Sequence, residues 1–424
     1  MRDVVITGMG VVLPGCDSKE ELWRQLSEQD CQLSLEPATG GDRGRVVGRI
    51  HGFDADRYLP DVPSRYYSQC PRDVQLYLAS VALARRDARL DECDATRTGL
   101  YDGTSRASFS SWYERIRRER DHPARDLYTR NELARDTPGQ AVGIAAALMG
   151  VQGPALTFTA SCSSATVALG QAFRDVAMGT VDIAYAGGHE AALVPPLHLM
   201  YQEAGLCSPE QETPARAVRP WADSTGNVFG EAAVTLVLEE RERAEGRGAT
   251  LLAGVAGYAY GNTGLHPTHV DVTGARPTRV VRQLLDDTAT PRERVGFLIG
   301  HGNGVPASDL AEMRMMHAVF GPHASAVPLL STKPVYGHGL GAAGAVNAAA
   351  ATLMLRERRL FRTLNADPSA TVEGLSFGST ESLPVDRLSG VCLSFGLGGH
   401  NAALLFRGPG RCGDEKGLER ENDG

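Results

Sequence analysis

Short apolar runs suited to strands alternate with longer helix-periodic stretches from one end of the chain to the other. This alternation restricts the fold to the α/β class, with sheets covered by helices. Strand-like runs cover residues 4–6, 154–158, 181–186, 232–239, 251–260 and 295–298, and residues 391–395 and 402–406 read as a strand pair around a glycine turn. Helical periodicity marks residues 22–27, 74–86, 138–148, 164–178, 278–287 and 340–355. The strand at 181–186 is expected to close at Gly187-Gly188. Strand exits rich in small residues, each followed by a helix, recur on both sides of a change in character near residue 250. The pattern points to two similar halves, residues 1–250 and 251–408. Residues 103–130 are polar and arginine-rich and read as an insertion or lid, and residues 409–424 read as a disordered tail.

Composition excludes several classes of function. A chain of 424 residues can bury two sizeable cores or one duplicated one. The net charge of −8 offers no overall basic footprint for nucleic acid. The cysteines, at positions 16, 31, 70, 93, 162, 207, 392 and 412, are scattered without a CxxC pair. That spacing argues against a closed zinc site and against a disulfide framework. The chain starts Met1-Arg2-Asp3 and runs straight into Val4-Val5-Ile6, which is not a signal-peptide pattern, and no apolar run is long enough to span a membrane. The expected compartment is the cytoplasm.

Chemistry concentrates at three points. Cys162, in Ala160-Ser161-Cys162-Ser163-Ser164, lies between a strand-like run and a helical stretch. A thiol at such a turn can act as a nucleophile, because helix-start N–H groups favour its thiolate and can receive charge that develops on an attacked carbonyl. Buried cysteines also simply fill space. His301-Gly302 and His338-Gly339 lie far downstream. One cysteine and two histidines beside small residues point to acyl transfer or carbon–carbon bond formation on thioesters. A zinc site built from the same three side chains is the rival reading.

The motifs in combination resemble the condensing enzymes of the beta-ketoacyl-carrier-protein synthase type, within the thiolase-like superfamily. They are Val4–Gly10 (VVITGMG), Ser161-Cys162-Ser163-Ser164, Ala186-Gly187-Gly188, Arg219-Pro220-Trp221, Gly230-Glu231, His301-Gly302, Lys333–Gly344 (KPVYGHGLGAAG) and Phe395–Asn401 (FGLGGHN). The resemblance spans roughly residues 2–408. It implies a layered α-β-α-β-α architecture of two similar halves. Cys162 becomes the acyl-accepting nucleophile, and the backbone N–H groups of Cys162 and Phe395 the oxyanion hole. His301 and His338 become donors to the enolate formed when a malonyl thioester loses carbon dioxide. Lys333 and Glu312 organise the site as a buried pair, and Phe395 acts as a gate. Asn303 and Val305 fall where the family contacts the phosphopantetheine arm of an acyl carrier protein. No cofactor is implied beyond that carrier-borne arm, and no metal. The implied partners are the carrier and a second subunit, either an identical copy or a related chain-length-type subunit.

Several segments depart from the family pattern. His301 is followed by Gly302-Asn303-Gly304-Val305 where relatives have Gly-Thr-x-Thr, and Val305 has no side-chain hydrogen bond to offer. The stretch Ser224–Glu231 (STGNVFGE) replaces the usual gate-facing loop, and residues 103–130 replace a glycine-rich segment. These changes fit a specialised synthase in polyketide or other secondary-metabolite assembly better than a general elongase. The other readings are an acyltransferase that does not elongate, with His301 or His338 as base, and a noncatalytic partner subunit. His400 reads as structural, whereas His266 and His269 are candidates for lining the substrate mouth.

Overall fold

The computed structural model describes residues 1–37, 44–90, 94–120, 137, 139–221, 224–365, 374–378 and 382–410. The expected tail therefore lies outside the described residues from position 411, and the expected lid from position 121. The strands are β1 (Val4–Val12), β2 (Ser34–Glu36), β3 (Arg45–Val47), β4 (Thr98–Gly103), β5 (Ala155–Phe158), β6 (Ile183–Glu190), β7 (Ala232–Glu240), β8 (Ala253–Asn262), β9 (Phe297–Ile299), β10 (Leu329–Leu330), β11 (Ser389–Gly396) and β12 (His400–Arg407). Apart from the β2–β3 pair, they form one hydrogen-bonded sheet in the order β10-β9-β11-β12-β8-β1-β7-β6-β4-β5.

The order divides at β8–β1 into two sets with the same plan. In the first, β5, β4 and β6 run parallel, and β7 and β1 follow antiparallel. In the second, β10, β9 and β11 run parallel, and β12 and β8 follow antiparallel. Only Val4–Ile6 of β1 pairs with β8, so the seam between the sets is narrow.

Two central helices lie between the sets. Ser164–Met178 packs on β4 and β6 of one set and on β8 and β12 of the other. Ala343–Glu357 packs on β11 and on β6 and β7, and touches Ser164–Met178 directly. Its residues 343–355 are all buried, and alanine dominates because strands or helices approach from every side. Arg72–Asp87 covers β1, β6 and β7 from outside, and Ala275–Asp287 covers β8 and β12. Sheet and helix layers thus alternate around a buried helical middle.

Some boundaries differ from the sequence reading. β6 does not close at Gly187-Gly188 but runs through them to Glu190. The glycines serve close contact rather than a turn: a Cβ at Gly187 would lie 1.9 Å from the Val234 carbonyl oxygen, and one at Gly188 would lie 2.4 Å from that of Gly103. β4 was not anticipated because Thr98 and Asp102 interrupt its apolar pattern, yet Asp102 is buried against the His189 ring nitrogen Nδ1 at 2.9 Å. Within the expected lid, Gly103 ends β4 and Phe109–Glu119 forms a helix. Its Phe109 and Tyr113 pack against the apolar cluster around Cys162.

A Cβ at Gly103 would lie 2.3 Å from the backbone of Ser164 and Ala165, where the nucleophile helix begins. Gly103→Ala is expected to cost about 1–3 kcal/mol, read as a lowered melting temperature. Gly246→Ala, where a Cβ meets nothing within 4 Å, is the control and should change little.

Candidate active site

Cys162 follows β5, His301 follows β9, Lys333 and His338 follow β10, and Phe395 lies in the last part of β11. Ligand sites in sheets of this kind lie beyond the carboxyl ends of the strands. Cys162, His301, Asn303, Val305, His338 and Phe395 line one cavity of about 470 Å³.

The nucleophile turn is held tightly. Ser161 adopts φ 53°, in the left-handed region that non-glycine residues rarely occupy. The Ser164 hydroxyl donates to the Ser161 carbonyl (2.6 Å) and accepts from the Ala160 N–H (2.9 Å). The Ser163 hydroxyl donates to the Ser394 carbonyl (3.1 Å), and the Thr166 hydroxyl pairs with that of Ser394 (2.7 Å). These bonds fix Cys162 against Phe395, the next residue of β11. Gly396 completes the approach, since a Cβ there would lie 2.6 Å from the Ala160 carbonyl oxygen.

The sequence reading has helix-start N–H groups favouring the Cys162 thiolate. In the structure burial pushes the thiol up, and the Ser161 hydroxyl and the Lys333 charge pull only partly against it.

The two imidazoles meet edge to face, with ring centroids 5.3 Å apart. Burial holds both well below the ordinary histidine range, and the nearby Lys333 adds to this. Both ring nitrogens of His338 are buried without a hydrogen-bond partner among the described residues. Its backbone is fixed by bonds to Val228 and Gly230. The His301 ring faces donors on both sides. The Phe395 N–H lies 3.4 Å from Nδ1, and the Asn303 amide nitrogen lies 3.1 Å from Nε2. Asn303 is oriented by its Oδ1, which accepts from the Val305 N–H (3.0 Å). Two flanking donors disfavour an imidazolium, which has no acceptor to offer them.

Glu312 and Lys333 hold the same peptide unit from opposite ends. Glu312 accepts from the N–H groups of His301 and Gly302 and from the Trp221 indole (3.0 Å). Lys333 Nζ donates to the His301 carbonyl. The two side chains thus both grip His301, and the Glu312 charge also acts on the Lys333 ammonium. Burial raises the Glu312 carboxyl to about 7 and lowers the Lys333 ammonium to about 8. Among the described residues no cluster of three or more His, Cys, Asp or Glu side chains is arranged to hold a metal ion.

Residues 1–244 match the beta-ketoacyl synthase N-terminal domain, and residues 252–367 match its C-terminal domain. The chain belongs to the beta-ketoacyl synthase family. It is 27% identical over 416 residues to the 3-oxoacyl-[acyl-carrier-protein] synthase 2 of Vibrio cholerae, covering 96% of this chain and 99% of that one. It is 29% identical over 422 residues to a putative polyketide beta-ketoacyl synthase 1 of Streptomyces halstedii, covering 97% and 99%. Among solved structures, the ishigamide ketosynthase/chain length factor superposes with a TM-score of 0.86 at 25% identity, covering 96% of this chain and all of that one.

Several residues that shape this ketosynthase site were not singled out from sequence. Asp309 accepts from the Trp221 N–H (2.7 Å) and from the Ser224 hydroxyl, and burial raises it to about 6. It lies three positions before Glu312 on the helix Pro306–Phe320, and that spacing was its only signal. Asn227 and Thr263 line the cavity with buried oxygens that lack partners among the described residues. Of the other histidines, His269 and His400 line the cavity, and His266 stacks on His269 at 3.9 Å. His400 is also tied to the Tyr260 hydroxyl at 2.6 Å.

Because burial raises Cys162, its thiolate fraction grows with pH over the neutral and mildly alkaline range. Alkylation of Cys162 by iodoacetamide, followed by intact mass, should quicken about tenfold per pH unit. It should not level off below pH 9.0, the ordinary thiol value above which burial holds the group.

Proposed function

We propose that this chain is a beta-ketoacyl-carrier-protein synthase. The observation that carries the reading is the pair of neutral, buried imidazoles, one with both ring nitrogens unpartnered among the described residues, sharing a cavity with a buried thiol. In the first step Cys162 attacks an acyl thioester. A new C–S bond forms, the bond to the carrier thiol breaks, and the cysteine proton leaves with that thiol. The Ser163 and Ser164 N–H groups already donate to the Ala160 and Ser161 carbonyls, so the N–H of Cys162 itself receives the charge that builds on the attacked oxygen.

In the second step a malonyl thioester loses carbon dioxide and its electron pair moves toward the thioester oxygen. The neutral imidazoles of His301 and His338 each have one N–H to donate to that oxygen. Such donors bind the developing enolate more strongly than the ground-state thioester. The enolate carbon attacks the acyl carbon, the C–S bond to Cys162 breaks, and the returning thiolate takes up a proton. A ketoacyl thioester two carbons longer leaves on the carrier.

Substrates arrive on the phosphopantetheine arm of an acyl carrier protein, as the name of the Vibrio relative supports, and Asn303 and Val305 line its path. Pairing with a second ketosynthase-type subunit is supported by β5, an edge strand whose Leu156 is exposed, and by the ketosynthase/chain length factor likeness. The departures at Asn303–Val305 and Ser224–Glu231 support a place in polyketide or related secondary-metabolite assembly. Among the described residues no helix is long and apolar enough to cross a membrane.

Intact-protein mass spectrometry with acyl and malonyl carriers tests the proposal. Wild type should acylate at Cys162 and then release an elongated ketoacyl carrier, and Cys162→Ala should do neither. His338→Ala should still acylate, while elongation falls by about 10²–10³. Acylation without elongation in the wild type, even with a partner subunit supplied, would move the assignment to a non-elongating acyltransferase.

A further inference from the structure

The loop after β4 places the Arg106 cation against Tyr201, a lining residue of the Cys162 cavity. This loop stands after β4 as the His301 loop stands after β9, in matching positions of the two strand sets. Buried Glu190, at the end of β6, fixes the loop by accepting from the N–H groups of Ser105 (2.9 Å), Arg106 (3.2 Å) and Gly341 (3.2 Å). The Arg106 side chain is half-buried. One terminal nitrogen donates to the Tyr201 hydroxyl (3.2 Å), and the guanidinium carbon lies 5.8 Å from the centre of the Tyr201 ring. Its Nε is buried with no hydrogen-bond partner among the described residues. Glu190 bonds the Arg106 backbone, and among the described residues the guanidinium forms no ion pair.

Tyr201 lines the Cys162 cavity and packs with Cys162, Leu197, Phe229 and Leu340 in one apolar cluster. A donor buried without a partner is costly, and a charged donor more so. A plain alkyl chain on Cys162 would leave that cost in place, whereas a chain bearing an oxygen acceptor would remove it.

We propose that Arg106 selects the acyl group loaded onto Cys162, favouring chains that carry an oxygen acceptor, a carboxylate or a ketone, over plain alkyl chains of the same length. The inference rests on the acyl-loading step proposed above and adds the class of acyl group.

The test compares rates of Cys162 acylation from butyryl, acetoacetyl and succinyl carriers, read by intact mass. Wild type should load the acetoacetyl or the succinyl group at least about tenfold faster than butyryl, and whichever is faster identifies the acceptor. Arg106→Leu should lose the preference, and Arg106→Lys should keep part of it for succinyl. A wild type that loads butyryl as fast overturns the inference, as does an Arg106→Leu protein that keeps the preference. If Arg106→Leu does not fold, the wild-type and Arg106→Lys ratios decide.

A second assay needs no carrier and no condensation. Cys162 is alkylated with a chloroacetamide of β-alanine, which ends in a carboxylate, and with one of propylamine, which ends in a methyl group. A carboxylate preference that disappears in Arg106→Leu supports the inference even where no carrier acylates the protein, and then only the condensing reading fails. Equal rates in both assays overturn the role of Arg106 and leave the condensing reading standing if elongation is seen.

Discussion

The close approach of the two central helices at their starts is the constraint on which the rest of the structure depends. A Cβ at Gly344 would lie 2.1 Å from the Thr166 hydroxyl oxygen, so only a residue without a side chain fits there. Thr166 in turn reaches Ser394, the neighbour of Phe395. One contact therefore sets the spacing among the turn that carries Cys162, the helix that follows His338 and the end of β11. Gly341, against Thr104 and Ser105, extends the same contact to the loop that carries Arg106. In a packed interior such positions cannot drift independently.

The electrostatics follow from that packing. Neutral imidazoles suit this chemistry better than charged ones. An imidazolium would attract the malonyl carboxylate and hold the substrate in its ground state, whereas a neutral N–H gains most when charge reaches the thioester oxygen. Burial supplies the neutrality, and Lys333 reinforces it while holding the His301 carbonyl. The protein keeps one ammonium and one carboxyl group at opposite ends of a single peptide, and the imidazole between them needs no charge of its own.

Much of this was legible in the sequence, for physical reasons that vary by element. The helix at 164–178 was read to the residue, because apolar spacing and Gly179 at its end, φ 78°, mark both limits. Cys162, His301, His338 and Phe395 were legible because each is embedded in a run of small residues whose close contacts leave little freedom. β4 was missed because Asp102 is hidden by a partner 87 residues away. Glu190, Asp309 and Arg106 were missed for a related reason. Their roles come from backbone groups and rings that only the fold brings near, and adjacent residues carry no trace of that.

The matching strand plans carry a historical consequence. Cys162 and His338 leave equivalent strands, β5 and β10, and each precedes one of the two central helices. Arg106 and His301 are matched in the same way after β4 and β9. Descent from a single ancestral unit, doubled and then diverged, accounts for both correspondences. On that view the first copy specialised in holding the growing chain and the second in activating the incoming unit, a division of labour between twins that once were alike.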